Sequence, residues 1–183
     1  MYIMACTLGS GVRAGIACSL GMALGSVIYV TLSAFGFGAL LKLYPNVVTI
    51  IQIAGGGYLL FLGAKAIYLA HKPELKSPVK GAPLRLAKQS VLVELSNPKT
   101  VLFFVAFLPQ FADPSNGNMT LQILLLGMLY CVIALFSDFS VIALSHRIGK
   151  WISQSPVWAI RQEQLAGAVL IAVGVFIFAD VIR

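Results

Sequence analysis

Charge is what this chain has least of. Lys and Arg number 13 and Asp and Glu 6 in 183 residues, or 10% of the sequence. A soluble domain carries ~25%, so no sizeable soluble domain fits. Cysteine is also scarce: Cys6, Cys18 and Cys131 stand apart in apolar stretches. With no Cys-x-x-Cys, a disulfide framework or redox pair is excluded, and the three are expected to be buried and inert. The two histidines, His71 and His146, stand alone in basic stretches and read as solvated loop residues. Neither has a companion at metal-ligand spacing, so no metal site is expected. No nucleophile–base set and no phosphate loop is present, which leaves no cofactor to assign and no support for an enzyme. The net charge of +7 suggests nucleic acid at first sight. The basic residues, however, flank apolar segments and do not interleave with aromatics on one face, so nucleic acid is not an expected partner.

What the chain has is apolar length. It is 59% hydrophobic with a mean hydropathy of +0.92. A spanning helix needs ~20 mostly apolar residues. Such segments fall near 15–41, 47–69, 89–111, 120–144 and 164–182. Pro45-Asn46 turns the chain between the first two. Residues 70–88, with Pro73, Pro78 and Pro83, read as a loop, and Asp113 to Asn118 as a turn. Residues 147–161 read as a basic connection broken by Pro156. Lys and Arg collect in 70–88 and 145–161, and Arg13 precedes the first segment, while the turns 42–46 and 112–119 carry only Lys42. The positive-inside rule then makes Arg13 and both loops cytoplasmic and puts the C-terminus outside. Residues 1–8 are apolar but too short to span. They lack a signal peptide's basic start and cleavage site, and read as the last two turns of a helix that begins upstream.

The segment 89–111 is interrupted by Asn97-Pro98-Lys99. Proline removes a backbone donor, and the residue before it is biased away from helix. A charge at the bilayer centre costs ~2.5–3.5 kcal/mol on insertion scales. Broken helices are tolerated at that depth where they line a cavity or are shielded by protein. The break is expected to free carbonyls near Pro98 for a solute or ion. Pro109 kinks the segment again, with Gln110 beside it. Lys99 lies eleven residues past Lys88, ~16 Å deep at ~1.5 Å per residue, and Asp138 nine residues before Arg147, ~13 Å deep. Their segments are consecutive and antiparallel, so the two are expected to pair, either as a static ion pair or as a gate opened when substrate or proton competes for Asp138. Glu94 sits nearer the interface and reads as a snorkelling residue or a partner of Lys88 or Arg85. Gly21-x-x-x-Gly25 permits close helix approach; Ser26, which follows it, and Ser19 are candidates for a polar path.

One repeat is visible. Gly56 to Gly63 and Gly167 to Gly174 share the pattern G-x-x-L-[LI]-x-[LV]-G. The two copies are three spans apart, so they run in opposite directions, the arrangement of an inverted repeat. The expected fold is therefore an all-α integral membrane protein in one domain. It has five complete transmembrane helices plus the end of a sixth, in two three-helix inverted repeats. The first repeat, 1–69, is incomplete; loop 70–88 links it to the second, 89–183.

These residues resemble the lysine exporter (LysE/RhtB) family of bacterial amino-acid exporters. The resemblance rests on Asn97-Pro98-Lys99 followed by Phe103 to Phe111, on Gly56-x-Tyr58-Leu59-x-Phe61-Leu62-Gly63, on Gly21-x-x-x-Gly25 and on Ser137-Asp138. It implies a bacterial inner-membrane location with a periplasmic C-terminus, and export of small amino acids or derivatives coupled to the proton gradient. A first-helix Pro-Gly-Pro motif that the family carries is not present. Many members also place an acid after the second glycine, where this chain has Ser26, which points to neutral substrates of the homoserine or threonine class. A carrier for another small solute is one rival. Another is a non-transporting truncated scaffold that forms a homo-oligomer through its glycine-rich faces.

Overall fold

The computed structural model describes residues 2–70, 78–153 and 155–181. Among them every regular element is helical. A short helix α1 (Tyr2–Ser10) turns at Gly11, which has φ +85, into the long α2 (Val12–Leu43). Helix α3 (Pro45–Leu69) follows, then α4 (Pro83–Leu95) and the short α5 (Pro98–Leu102). The chain past α5 widens into a π-turn at Phe103–Phe107 and tightens into a 3₁₀ turn at Leu108–Phe111. Helices α6 (Met119–Ser153) and α7 (Pro156–Val181) complete the fold. Parts of α2, α3, α6 and α7 are long and apolar enough to span a membrane. The pair Pro83–Leu95 and Pro98–Phe111, bent by 53°, passes as a fifth span if counted as one. Outward faces are apolar as lipid contact requires: Leu20, Leu24 and Leu32 on α2 and Leu125, Leu129 and Ile133 on α6 are exposed.

The helix ends differ from the sequence reading in a consistent way. Residues 83–88, read as loop, form the start of α4, and 147–153, read as a connection, continue α6. His146, read as a loop residue, is therefore on α6, while His71 and the 71–77 part of the loop lie outside the described residues. Basic residues mark where a helix leaves the membrane, not where it stops. The true boundaries are set by proline at the first helical position, where its missing N–H costs nothing: Pro45, Pro83 and Pro156 each begin a helix.

Two packing units emerge. Helix α2 lies against α4 and α6, and α1 closes the same group. A methyl on Gly25 would stand 2.8 Å from Glu94 Cβ, and one on Gly21 3.0 Å from Ser90 Cβ, so α2 and α4 run parallel with backbones close. Against α6 the order reverses, with Gly127 facing Val30 and Ile142 facing Gly15. The other unit is the crossing of α3 and α7. A methyl on Gly63 would lie 2.7 Å from the Gly167 carbonyl oxygen, and one on Gly167 2.7 Å from that of Gly63. Gly174 and Gly56 meet in the same antiparallel sense. The repeated glycines of the sequence are thus the two sides of one crossing. The chain after Pro98 joins the units: Ala106 packs with Leu59 of α3 and Ile177 of α7, and Phe104 with Val30 of α2 and Ile123 of α6.

Candidate functional site

Helix α2 carries serines at positions 19, 26 and 33. Seven residues is close to two helical turns, so all three fall on one face. That face is turned inward, and each serine is at most 5% exposed. Ser19 Oγ donates to Asp138 Oδ2 at 3.0 Å, and Ser26 Oγ to Glu94 Oε1 at 2.9 Å. Ser33 Oγ donates to the Phe104 carbonyl at 2.5 Å, and Tyr29, on the same helix, gives its hydroxyl to the Leu95 carbonyl. One stripe of hydroxyls thereby meets Asp138, Glu94 and two backbone carbonyls of the broken segment.

Most backbone groups at the break find new partners. Pro98 has no N–H to offer, and Asn97 N takes up the Glu94 carbonyl at 3.1 Å. The Lys99 N–H, which would reach Leu95 in a continuous helix, bonds to Asn97 Oδ1 at 3.1 Å. The carbonyl left over at Leu95 receives Tyr29. Of the carbonyls that the break was expected to free, the one at Leu95 is occupied by the neighbouring helix. Asn97 caps the second half of the helix, and the bond at Oδ1 leaves its Nδ2 hydrogens as donors.

Beside the break lies a cavity of about 250 Å³. That is near the lower end of the ~300–1,000 Å³ of small-molecule sites. Its polar lining is Ser26, Glu94, Asn97, Thr100, Tyr130 and Asp138, with Tyr2 at the α1 end. Apolar clusters bound it on either side, one holding Val30, Phe104 and Cys131, the other Ile3, Cys18, Leu86 and Ile142. No Lys, Arg or His is among the lining residues. The cavity offers carboxylates from two helices together with the amide and hydroxyl donors of Asn97, Thr100 and Tyr130. That pairing suits a small molecule carrying both a cation and an anion.

The candidates named from sequence divide accordingly. Ser26, Asn97 and Asp138 are brought together here. Lys99 is half-buried and does not line the cavity, and Asp138 bonds to Ser19, so the two are not joined as an ion pair. The depth estimate followed a straight helix, whereas the 53° bend falls between Lys88 and Lys99. Pro98 is exposed at the start of α5. Pro109 and Gln110 lie in the terminal 3₁₀ turn, away from the cavity; Gln110 Nε2 bonds to the Ala106 carbonyl at 2.9 Å while its buried Oε1 has no partner. Glu94, read as a snorkelling residue, is 5% exposed and central, because the close approach of Gly25 draws its side chain onto α2. The signal that identifies it is the serine spacing, whose middle member meets an acid on the parallel helix. Gly21, Gly25, Gly56, Gly63, Gly167 and Gly174 all sit at helix contacts.

A polar cavity beside a broken helix in an all-helical membrane protein is the architecture of a membrane translocator. A family model described as LysE type translocator matches residues 1–180, and the chain belongs to that family. Among its relatives, an uncharacterized membrane protein of Vibrio cholerae is 29% identical over 173 residues, covering 93% of this chain and 82% of the relative. One of Pseudomonas aeruginosa is 31% identical over 186 residues, covering 96% and 84%. A leucine efflux protein of Enterobacter is 30% identical over 129 residues, covering 69% and 61%. No solved structure matches the chain.

Proposed function

We propose that this protein is a secondary transporter that exports amino acids or close derivatives across the bacterial inner membrane, coupled to protons. The observation that carries the reading is the cavity at the break, lined by Glu94 and Asp138 together with Asn97, Thr100 and Tyr130. It can hold both ends of a zwitterion without a metal or cofactor. Asp138, which accepts a bond from the Ser19 hydroxyl, is the group for the coupling proton, since an intramembrane acid held by a neutral hydroxyl can exchange its proton against a competing charge. Transport proceeds by alternating access between two three-helix inverted repeats, 1–69 and 89–183, with 70–88 cytoplasmic and the C-terminus periplasmic. The matched glycine faces of α3 and α7 support that symmetry.

The cargo is an amino acid with a neutral side chain. Leucine efflux relatives favour this, and homoserine and threonine belong to the same size range. Counterflow of labelled leucine, homoserine, threonine and lysine into proteoliposomes tests the reading. Uptake of a neutral amino acid above lysine is expected, with a stimulation by an imposed proton gradient. Movement of none of the four refutes it and leaves the scaffold reading standing.

A further inference from the structure

We propose that Glu94 is the receptor for the substrate's α-ammonium group, which divides the two acids of the cavity between cargo and proton. The inference rests on the amino-acid export reading above and deepens it. Glu94 lies at the end of α4, one turn before Pro98, and is 5% exposed. Its partner is a neutral hydroxyl, Ser26 Oγ at 2.9 Å. A buried carboxylate is ordinarily matched by a cation, because desolvation costs more than a hydroxyl returns. Among the described residues lining this cavity there is no Lys, Arg or His, and Lys99, the nearest basic residue along the chain, does not line it. Two carboxylates therefore face one cavity with no cationic side chain among its described lining residues. A zwitterionic amino acid brings an ammonium for Glu94 while its own carboxylate goes to neutral donors, and Asp138 is left for the proton that moves in exchange.

Position assigns the two roles. Glu94 stands beside the break, next to Asn97 and Thr100, so a substrate whose carboxylate takes the donors of Asn97 and Thr100 presents its adjacent ammonium to Glu94. These are neighbouring groups on one α-carbon, and the residues that receive them are neighbours on one broken helix. Asp138 arrives from α6 and is held by Ser19, one α2 heptad from Ser26. The side chain of the cargo then extends among Met22, Ala23, Ala134 and Leu135, all lining residues without charge. Solutes that lack a free ammonium should be rejected even when size and carboxylate are right.

The test uses the wild-type protein first. Dicyclohexylcarbodiimide modifies carboxyl groups in apolar surroundings, and the modified site is read by mass spectrometry. Leucine, or whichever of the four amino acids the protein moves in counterflow, is expected to slow modification of Glu94 about tenfold at saturation. The N-acetyl derivative, which lacks the ammonium, is expected to give no protection. Glu94→Gln should raise KM ten- to hundred-fold, the range for losing a hydrogen bond to a charged group. Glu94→Asp should recover part of the loss. In a preparation that moves the amino acid, equal protection by the N-acetyl derivative, absence of protection by the free amino acid, or an unchanged KM in Glu94→Gln each overturns the assignment while export stands. A wild-type protein that moves none of the four removes the reading beneath it, and this inference with it.

Discussion

The α3–α7 crossing and the α2–α4–α6 cavity are built from similar material and do opposite things. Both rely on glycines that bring helix backbones together. At α3–α7, glycine meets glycine, Gly63 against Gly167. At α2–α4, glycine meets a residue that carries chemistry: Gly25 faces Glu94 Cβ, and the next residue, Ser26, bonds to that carboxylate. A close approach thus serves as a framework where both sides are small. It sets up a polar contact where only one side is small. The crossing should therefore control whether the protein is folded, and the cavity what it moves.

The sharpest break of that comparison is on the framework side. Gly167→Val places a β-carbon 2.7 Å from the Gly63 carbonyl oxygen, and backbone cannot rotate away. A loss of about 1–3 kcal/mol or more is expected, visible as a lowered melting temperature in detergent. Tyr29→Phe keeps the ring stack on Phe104, at 6.2 Å between centroids, but orphans the Leu95 carbonyl. A cost of about 1–3 kcal/mol follows. A smaller effect belongs to the turn at 113–116, outside both regions. There the Ser115 hydroxyl at 2.7 Å, and then its backbone N–H at 2.8 Å, hold the Asp113 carboxyl below its ordinary range. A lowered pKa stabilises above the unfolded value of about 4 and is lost as pH falls through the folded one. The small melting advantage over Asp113→Ala should therefore exist at neutral pH and fade in acid. Lys99→Ala should change leucine counterflow least of all, because Lys99 lies off the cavity. A large loss would return Lys99 to the pathway and blur the division.

Much of this was readable from sequence where hydrophobicity or proline acts locally. The apolar segments gave four candidate spans and, in 89–111, part of the bent pair that passes as a fifth if counted as one; Asn97-Pro98 gave the break, and Asp113 to Asn118 gave the turn, closed by Gly117 at φ +104. Helix ends were misread because charge reports the membrane boundary, while hydrogen bonding at Pro83 and Pro156 decides the helix. The site was half legible. Ser26, Asn97 and Asp138 were found because polar groups are costly in apolar segments. Lys99 and Glu94 were weighed the wrong way round because depth along a chain does not say which way a bent helix turns its side chains. The freed carbonyl was foreseen, but its capture by Tyr29 depends on a helix 66 residues away in sequence. Residues 19, 26 and 33 held the missing information, since their heptad spacing fixes one face of α2 and so what the broken helix must meet.

The most direct measurement of whether the cavity serves transport is leucine counterflow by Asp138→Asn, compared at equal amounts of folded protein. The substitution keeps shape and the possibility of a bond with Ser19 while removing the charge and the exchangeable proton. The account predicts a melting temperature close to wild type and counterflow reduced at least about tenfold, a difference of ~1.4 kcal/mol in transport barrier. Wild-type counterflow by a normally folded Asp138→Asn would contradict it and make the polar cavity a structural feature.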